Sequence, residues 1–320
     1  MGMANFPSGI MQGINLRGLP LQVAHPGEIF WVNNTTVKAV NAIDGSDANN
    51  GDYHHPLATI DAAINKCTAS RGDKIIAMPG HSETLSNATS LVLDVAGIAL
   101  IGLGAGTLRP KIIMDTATTT TIPVSAANIS FTNFVFSANF ADIAEPFTVT
   151  ATDFLLQDCK LTQEATNMNF VEIVDSGTTD DEIDGISFIR CEWIEPDTAT
   201  TSLVNVDCDI DRLTILDCHI NLGINGVLSS LAEVAAGKDL TNVNIRRNYV
   251  SRLVTASAVQ LITFVDTTTT NTGIMEDNRC RSLDVAGELL LTAGTNISLY
   301  NNTSSSAVDA SGYVLPAIDS

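Results

Sequence analysis

A short phrase of alternating apolar residues followed by a tight turn recurs seven times between residues 129 and 304. One copy, at 213–220, reads Leu-Thr-Ile-Leu-Asp-Cys-His-Ile, and successive copies are 24 to 32 residues apart. The small or apolar residue after the polar turn residue is, in chain order, Phe134, Cys159, Cys191, Cys218, Asn248, Asn278 and Asn302. A repeat of this length with strand-like alternation predicts an all-β solenoid of stacked parallel strands, a parallel β-helix.

Equivalent positions in such a coil stack into a ladder along its axis, because each turn lays its strands about 4.8 Å from those of the turn before. Asn248, Asn278 and Asn302 can then share hydrogen bonds between neighbouring amides, which offsets the cost of burying them. Cysteine at the same position is a small apolar residue that fills an inward turn. The six cysteines of the chain include no CxxC pair, so we predict buried thiols rather than a zinc or redox site.

The sequence before the repeat divides into two parts. Residues 57–70 place Ile60, Ala63, Ile64 and Cys67 at helical spacing, which predicts an amphipathic helix that caps the open end of the coil. Residues 1–40 mix prolines and glycines with scattered apolar side chains, and we predict an extended attachment arm. The apolar residues expected to make that attachment are Phe6, Ile10, Ile14, Leu16, Leu19 and Leu21. The predicted divisions are therefore the arm at 1–40, the capping helix with the first coil at 41–84, and the β-helix with its C-terminal end at 85–320.

Composition excludes two classes of partner. The chain has 16 Lys and Arg against 36 Asp and Glu, a net charge of −20, which repels phosphate and anionic lipid. We therefore expect no nucleic-acid binding and no insertion into a membrane. Aromatic residues make up only 5% of the chain, so its core must consist mainly of small and branched side chains.

Two acidic segments are candidates for a chemical site. The run at 180–184 is the densest, and it is most simply a solvated turn between coils. In the second segment, strand alternation places Asp207, Asp209 and Asp211 on an outer face and Cys208 and Ile210 in the core. This row is a weak candidate for a cation, although its spacing is not that of an EF-hand. The sequence predicts no catalytic residue and no cofactor.

The N-terminal third carries a family resemblance. The segments Pro56-Leu-Ala-Thr-Ile60, Gly72-Asp-Lys-Ile-Ile and Pro79-Gly-His-Ser-Glu83 resemble the opening of the pectate-lyase-like, right-handed parallel β-helix superfamily. This resemblance implies a right-handed coil from residue 44 to about residue 305. The start of the chain, Met3-Ala-Asn-Phe-Pro-Ser-Gly9 with Gly18-Leu-Pro20 and Phe30-Trp-Val32, resembles the β-helix virion proteins of tailed bacteriophages. This second resemblance implies a homotrimer on the surface of a phage particle, with the protein made in the host cytoplasm.

These observations together predict a non-enzymatic structural protein of a phage particle, of the capsid-decoration or head-spike type, that is anchored by its arm. Its expected partners are further copies of the chain and other virion proteins such as the major capsid protein, and a host surface glycan is a further candidate ligand. The alternative is a tailspike-like protein that binds polysaccharide or cleaves it as a lyase or hydrolase. The small number of residues able to stack on sugar rings, two Trp and four Tyr, argues against that alternative.

Overall fold

A computed structural model of the protein describes residues 15–16, 19–20, 27–34, 43–179, 183–195, 202–222, 229–252, 260–264, 270–281, 289–291, 296–305 and 313–314. Within these residues the chain forms 31 short strands, one α-helix and one 3-10 helix. None of the helices in this part of the chain is long and apolar enough to cross a membrane.

The strands are two to six residues long and follow one another along the whole chain. Those of the first half are β1 (Asn15–Leu16), β2 (Leu19–Pro20), β3 (Ile29–Val32), β4 (Lys74–Ala77), β5 (Ser82–Leu85), β6 (Ala99–Gly102), β7 (Lys111–Met114), β8 (Ile122–Val124), β9 (Ile129–Thr132), β10 (Val135–Ala138), β11 (Phe147–Val149), β12 (Phe154–Gln157), β13 (Lys160–Gln163), β14 (Glu172–Asp175), β15 (Ser187–Ile189) and β16 (Glu192–Glu195). Those of the second half are β17 (Ser202–Val206), β18 (Ile210–Asp211), β19 (Thr214–Leu216), β20 (His219–Leu222), β21 (Ser229–Val234), β22 (Leu240–Thr241), β23 (Val243–Arg246), β24 (Tyr249–Arg252), β25 (Gln260–Phe264), β26 (Thr272–Glu276), β27 (Arg279–Arg281), β28 (Leu289–Leu291), β29 (Asn296–Tyr300), β30 (Thr303–Ser305) and β31 (Tyr313–Val314). Helix α1 spans Ile60–Ile64, and the 3-10 helix spans Gly106–Leu108.

Three long sheets contain most of these strands, and the coils from β6 to β28 pass through all three. Sheet I has the order β3-β4-β6-β9-β12-β15-β19-β23-β26-β29. Sheet II has the order β5-β7-β10-β13-β16-β20-β24-β27-β30-β31, and sheet III the order β8-β11-β14-β17-β21-β25-β28. Strand β12 leads to β13 and then to β14, which completes one coil. The strands pair in parallel from coil to coil, except that β31 is antiparallel to β30.

This topology confirms the predicted fold class, an all-β parallel β-helix. The coil is consistent with a right-handed parallel β-helix. The interior is filled by columns of apolar side chains that the strand register stacks directly on one another. One column of sheet I consists of Phe131, Leu156, Phe188, Ile215, Ile245 and Met275, all fully buried. Such close stacking accounts for the aliphatic composition, because each residue must fit the one above and below it.

The turn between sheets I and II has two residues with opposite roles. The second is buried, and it is Phe134, Cys159, Cys191, Cys218, Asn248, Asn278 or Asn302, depending on the coil. The first has a positive φ of 46° to 64° and is Asn133, Asp158, Arg190, Asp217, Arg247, Asp277 or Asn301. Asn and Asp tolerate this left-handed conformation better than most residues, which accounts for five of the seven.

The capping helix is shorter than the sequence predicted. The pattern predicted a helix over 57–70, whereas α1 ends at Ile64 because the amides of Lys66 and Cys67 bond to carbonyls only three residues back. Thr59 caps the start by accepting a hydrogen bond from the amide of Ala62 at 3.2 Å. Ile60, Ala63 and Ile64 are buried, and the helix packs against β3 and β4.

Strand β3 forms the first edge of sheet I and lies within the range 1–40 that the sequence analysis assigned to the arm. The segment before α1 covers this edge, since Trp31 bonds to Gly51 at 2.7 Å and to Leu57 at 2.8 Å through backbone groups. Of the residues predicted to make the attachment, Leu16 and Leu19 are paired across β1 and β2. The others, Phe6, Ile10, Ile14 and Leu21, lie outside the described residues, and the attachment function of the arm stays a prediction.

Candidate functional site

The outer face of sheet III carries a group of acidic side chains. Glu172 and Asp175 are the end residues of β14, and Ile173 and Val174 between them are fully buried. Two consecutive inward residues interrupt the alternation of the strand, so the residues on either side both lie half-buried at the outer face. One strand therefore presents two carboxyl groups, with their Cα atoms about 10 Å apart at the usual rise.

The strand register stacks polar residues from four coils in line with Asp175. Thr148 of β11, Asp175 of β14, Asn205 of β17 and Glu233 of β21 are partners in adjacent strands. Neighbouring strands lie about 4.8 Å apart, so this column extends about 14 Å along the coil axis. It forms an elongated polar strip rather than a closed pocket.

Two further carboxylates complete the group through hydrogen bonds to this column. Thr148 Oγ1 donates to Glu145 Oε1 at 2.8 Å, and Asn205 Nδ2 donates to Asp207 Oδ2 at 3.3 Å. We call the resulting set the acidic face; its members are Glu145, Glu172, Asp175, Asp207 and Glu233.

The electrostatics of the acidic face distinguish Glu172 from its neighbours. Burial, together with the negative charges of Asp175, Glu145, Asp207 and Glu233, raises the pKa of Glu172 to about 8. Burial also raises the pKa values of Glu145 and Asp175, although the shift is largest at Glu172. At neutral pH Glu172 is therefore mostly protonated and able to donate a proton, while ionised carboxylates next to it can accept one.

Carboxylates at the corner between sheets I and II are held differently. Asp158 accepts two hydrogen bonds from Arg190 at 2.7 and 2.8 Å, and Asp217 accepts two from Arg247 at the same distances. These bidentate pairs lower the pKa values of both aspartates. Neither carboxyl group of β14 has a Lys or Arg partner in the part of the chain that the structure describes.

Comparisons with known proteins add one structural similarity. No family model and no curated protein matches the chain in sequence. Among solved structures, the chain is similar to a rhamnogalacturonan lyase over 86% of this chain and 87% of that chain, with a TM-score of 0.45 and 12% sequence identity. The sequence analysis predicted a protein that is not an enzyme, whereas this similar structure is that of an enzyme. At this low identity, the comparison assigns no role to any residue of the chain.

The row Asp207, Asp209 and Asp211 is divided between different partners in the structure. Cys208 and Ile210 are buried between the three aspartates. Asp207 belongs to the acidic face, whereas Asp209 Oδ1 accepts the amide of Asp239 at 2.9 Å.

Asp211 Oδ1 accepts hydrogen bonds from Asn242 Nδ2 at 2.6 Å and from Thr241 Oγ1 at 2.8 Å, and these bonds lower the pKa of Asp211. Across the described residues, no three His, Cys, Asp or Glu side chains come together in a way that could hold a metal ion. The cation site proposed for this row stays a weak prediction.

The second sequence candidate, the acidic run at 180–184, is only partly described. Residues 180–182 lie outside the described residues. Asp184 Oδ1 accepts the amide of Asp211 at 2.8 Å, a contact that joins two neighbouring coils.

Sequence reasoning missed four of the five members of the acidic face. Its search followed local density, whereas the face takes one or two residues from each of four coils. A signal was present, since Glu145 and Glu172 are 27 residues apart, close to one coil length. Extending the repeat register from apolar to polar positions would have found it.

Proposed function

We propose that the protein is a tailspike-like polysaccharide hydrolase that cleaves a glycosidic bond on the acidic face, with Glu172 as the general acid. The observation that carries this proposal is the half-buried carboxyl group of Glu172, whose pKa of about 8 keeps it protonated beside ionised carboxylates. Hydrolysis of a glycoside needs one protonated carboxyl group for the leaving oxygen and one ionised carboxylate for the other side of the sugar.

The spacing along β14 favours an inverting reaction. Inverting hydrolases hold their two carboxyl groups about 6.5–9.5 Å apart so that a water molecule fits between them, whereas retaining enzymes hold them about 5 Å apart. The Cα atoms of Glu172 and Asp175 are about 10 Å apart at the usual strand rise, a spacing that favours the wider of these two arrangements. Asp175 is therefore assigned as the base that activates water.

The charges of the acidic face favour a neutral glycan at the point of cleavage. The ionised carboxylates of the acidic face, with no Lys or Arg partner described for either carboxyl group of β14, repel a uronate, whose own carboxylate needs a cation beside it. Elimination at a uronate, the reaction of a lyase, needs such neutralisation, and hydrolysis of a neutral sugar does not. The strip of about 14 Å along the axis has room for a short oligosaccharide.

The test compares Glu172→Gln with the wild type on a panel of bacterial surface polysaccharides. Reducing ends measure hydrolysis, and unsaturated ends measure elimination. We expect new reducing ends without unsaturated ends, and a fall in kcat of about 10²–10⁴-fold in the variant, because glutamine cannot donate the proton. Activity of the wild type should fall as the pH rises through about 8, where Glu172 loses its proton.

Glu28→Gln is the matched control, because it makes the same change on the exposed Glu28 far from sheet III. That variant should keep wild-type kcat. An unchanged kcat in Glu172→Gln, or products with unsaturated ends, would contradict the proposal.

The same proposal includes a location and an assembly, which the resemblance of the N-terminal residues to phage virion proteins supports. We propose that the hydrolase is a homotrimer on the surface of a phage particle, joined to other virion proteins through residues before β3. A subunit of 33.8 kDa then gives a species of three times that mass in light scattering, and a monomer at micromolar concentration would refute the trimer.

A further inference from the structure

A surface cleft of about 590 Å³ lies at the C-terminal part of the coil, away from the acidic face. It is bounded by two stacked rows of residues from successive coils, one on the outer face of sheet II and one at the neighbouring two-residue turn. Its lining residues are Arg247, Asn248, Tyr249, Asp277, Arg279, Asn301 and Thr303.

The row on sheet II presents an aromatic ring beside a cation. Strand register places His219, Tyr249, Arg279 and Thr303 in line on neighbouring strands, at steps of about 4.8 Å. The rings of His219 and Tyr249 meet edge to face, with centroids 5.1 Å apart at an interplanar angle of 76°. This contact holds the Tyr249 ring in place, and 39% of that residue remains exposed.

Three charged groups, Arg247, Asp277 and Arg279, line the cleft, and they differ in their partners. Arg247 is held by two hydrogen bonds to Asp217, and Asn301 Nδ2 donates to Asp277. Arg279 is exposed and forms no ion pair among the residues that the structure describes. In a chain with a net charge of −20, an unpaired guanidinium next to an exposed ring is an unusual local arrangement.

We propose that this cleft binds a sugar residue that carries an oxyanion group, such as a carboxylate or a phosphate, in a glycan chain. The guanidinium of Arg279 has the planar donor fork that matches such a group in a bidentate manner. The exposed face of Tyr249 packs against the C–H groups of the sugar ring, while Thr303 and Asn301 supply hydrogen-bonding groups for its hydroxyls.

This inference goes beyond the proposed hydrolysis and does not depend on it. The acidic face repels an anionic sugar, whereas the Arg279 cleft attracts one, so the two sites have different specificities. A glycan with both neutral and anionic residues could be held at the cleft while the acidic face acts on a neutral segment.

The experiment measures binding of three matched oligosaccharides to the full chain by calorimetry. One contains glucuronate, the second carries a sugar phosphate, and the third is the carboxyl-reduced, neutral form of the first. We expect at least one charged oligosaccharide to bind. The neutral form should bind with an affinity at least about tenfold lower, because a hydrogen bond to a charged group discriminates by about that factor. The charged oligosaccharide that binds more tightly identifies the oxyanion group that the cleft prefers.

Variants locate the binding. Arg279→Ala and Tyr249→Ala should each weaken binding of the charged oligosaccharide about tenfold, and Arg279→Lys should recover only part of the loss because lysine lacks the fork. Lys66→Ala removes a positive charge from an exposed residue elsewhere, and Tyr300→Ala removes a tyrosine that is 57% exposed outside the cleft. Both controls should bind as the wild type does.

Glu172→Gln separates this inference from the proposed function. That variant should bind the charged oligosaccharide with unchanged affinity, whatever it does to hydrolysis. Equal binding of the neutral and charged forms, no binding of any form, or unchanged affinity in Arg279→Ala would overturn the inference.

Discussion

The buried asparagines show how single side chains hold successive coils together. Asn248 Oδ1 accepts the amide of Cys218 at 2.9 Å, and Asn248 Nδ2 donates to the carbonyl of Ile215 at 2.8 Å and to Asn278 Oδ1 at 2.9 Å. Asn278 repeats these three contacts one coil further along, with Asn302 as its acceptor. Each amide thus satisfies backbone groups of the preceding coil that would otherwise be buried without a partner.

Replacing Asn248 should therefore destabilise the coil strongly. Asn248→Ala leaves the amide of Cys218, the carbonyl of Ile215 and one Asn278 contact without a partner, and we expect a loss of about 2–4 kcal/mol in the free energy of unfolding. Guanidinium unfolding followed by circular dichroism measures the shift. Asn296→Ala is the control, because Asn296 is exposed, and its effect should stay within about 0.5 kcal/mol. Equal midpoints for the two variants would show that the side-chain ladder adds nothing to stability.

At this scale the sequence predicts the interior better than the site. The inward positions recur with one coil length, so a residue such as Asn248 can be recognised from its equivalents at Cys218 and Asn278. The pKa of Glu172 depends instead on burial by neighbouring coils and on charges from Glu145 to Glu233. No local pattern contains that information, because the residues that create the environment are separated by whole coils.

Among the elements, the first coil depends on one buried carboxylate. Asp73 is fully buried and accepts hydrogen bonds from the amides of Glu28 and Thr68, both at 2.7 Å, and from Arg71 at 2.7 and 2.8 Å. It thereby joins the residue before β3, the segment after α1 and the start of β4. Burial alone would raise the pKa of Asp73, but the Arg71 pair and the two amides hold it below its usual value.

Removing this carboxylate should loosen the N-terminal end of the coil. We expect Asp73→Ala to lose about 3–5 kcal/mol of stability, because Arg71 and two amides lose their shared acceptor. The depressed pKa of Asp73 means that its contribution is present above the unfolded-state pKa and is lost as the pH falls through the folded-state value. The difference between the wild type and Asp73→Ala, measured by urea unfolding at several pH values, should therefore shrink in acid. Asp94→Ala alters an exposed aspartate and should change neither stability nor its pH dependence.

The predicted and observed elements differ where packing decides the length. The apolar spacing at Ile60, Ala63 and Ile64 marks the buried side of α1 correctly. The continuation of that spacing to Cys67 predicted a longer helix, but the chain there tightens into three-residue turns. The backbone amide of Thr68, which follows these turns, donates a hydrogen bond to Asp73. This is a tertiary contact that sequence periodicity does not contain.

Across the whole molecule, charges are paired at one corner and unpaired on one face. The turns between sheets I and II alternate acidic and basic residues at Asp158, Arg190, Asp217, Arg247 and Asp277. Asp158 pairs with Arg190, and Asp217 with Arg247, across neighbouring coils. Sheet III instead carries the acidic face, where Glu172 and Asp175 have no Lys or Arg partner among the described residues. In the proposed function, the net charge of −20, which in the sequence argues against nucleic acid, also disfavours anionic sugars at the acidic face.

The boundary between the arm and the coil provides a test at the scale of the whole chain. Strand β3 pairs with β4 along four residues, and its Val32 is fully buried. A deletion of residues 1–26 leaves this pairing intact, so we expect its Tm to stay within about 2 °C of the wild type. A deletion of residues 1–34 removes β3, exposes the apolar edge of β4 and should lower the Tm by about 5 °C or more. Differential scanning calorimetry measures both melting temperatures. Equal melting temperatures for the two deletions would mean that β3 is not part of the folded coil.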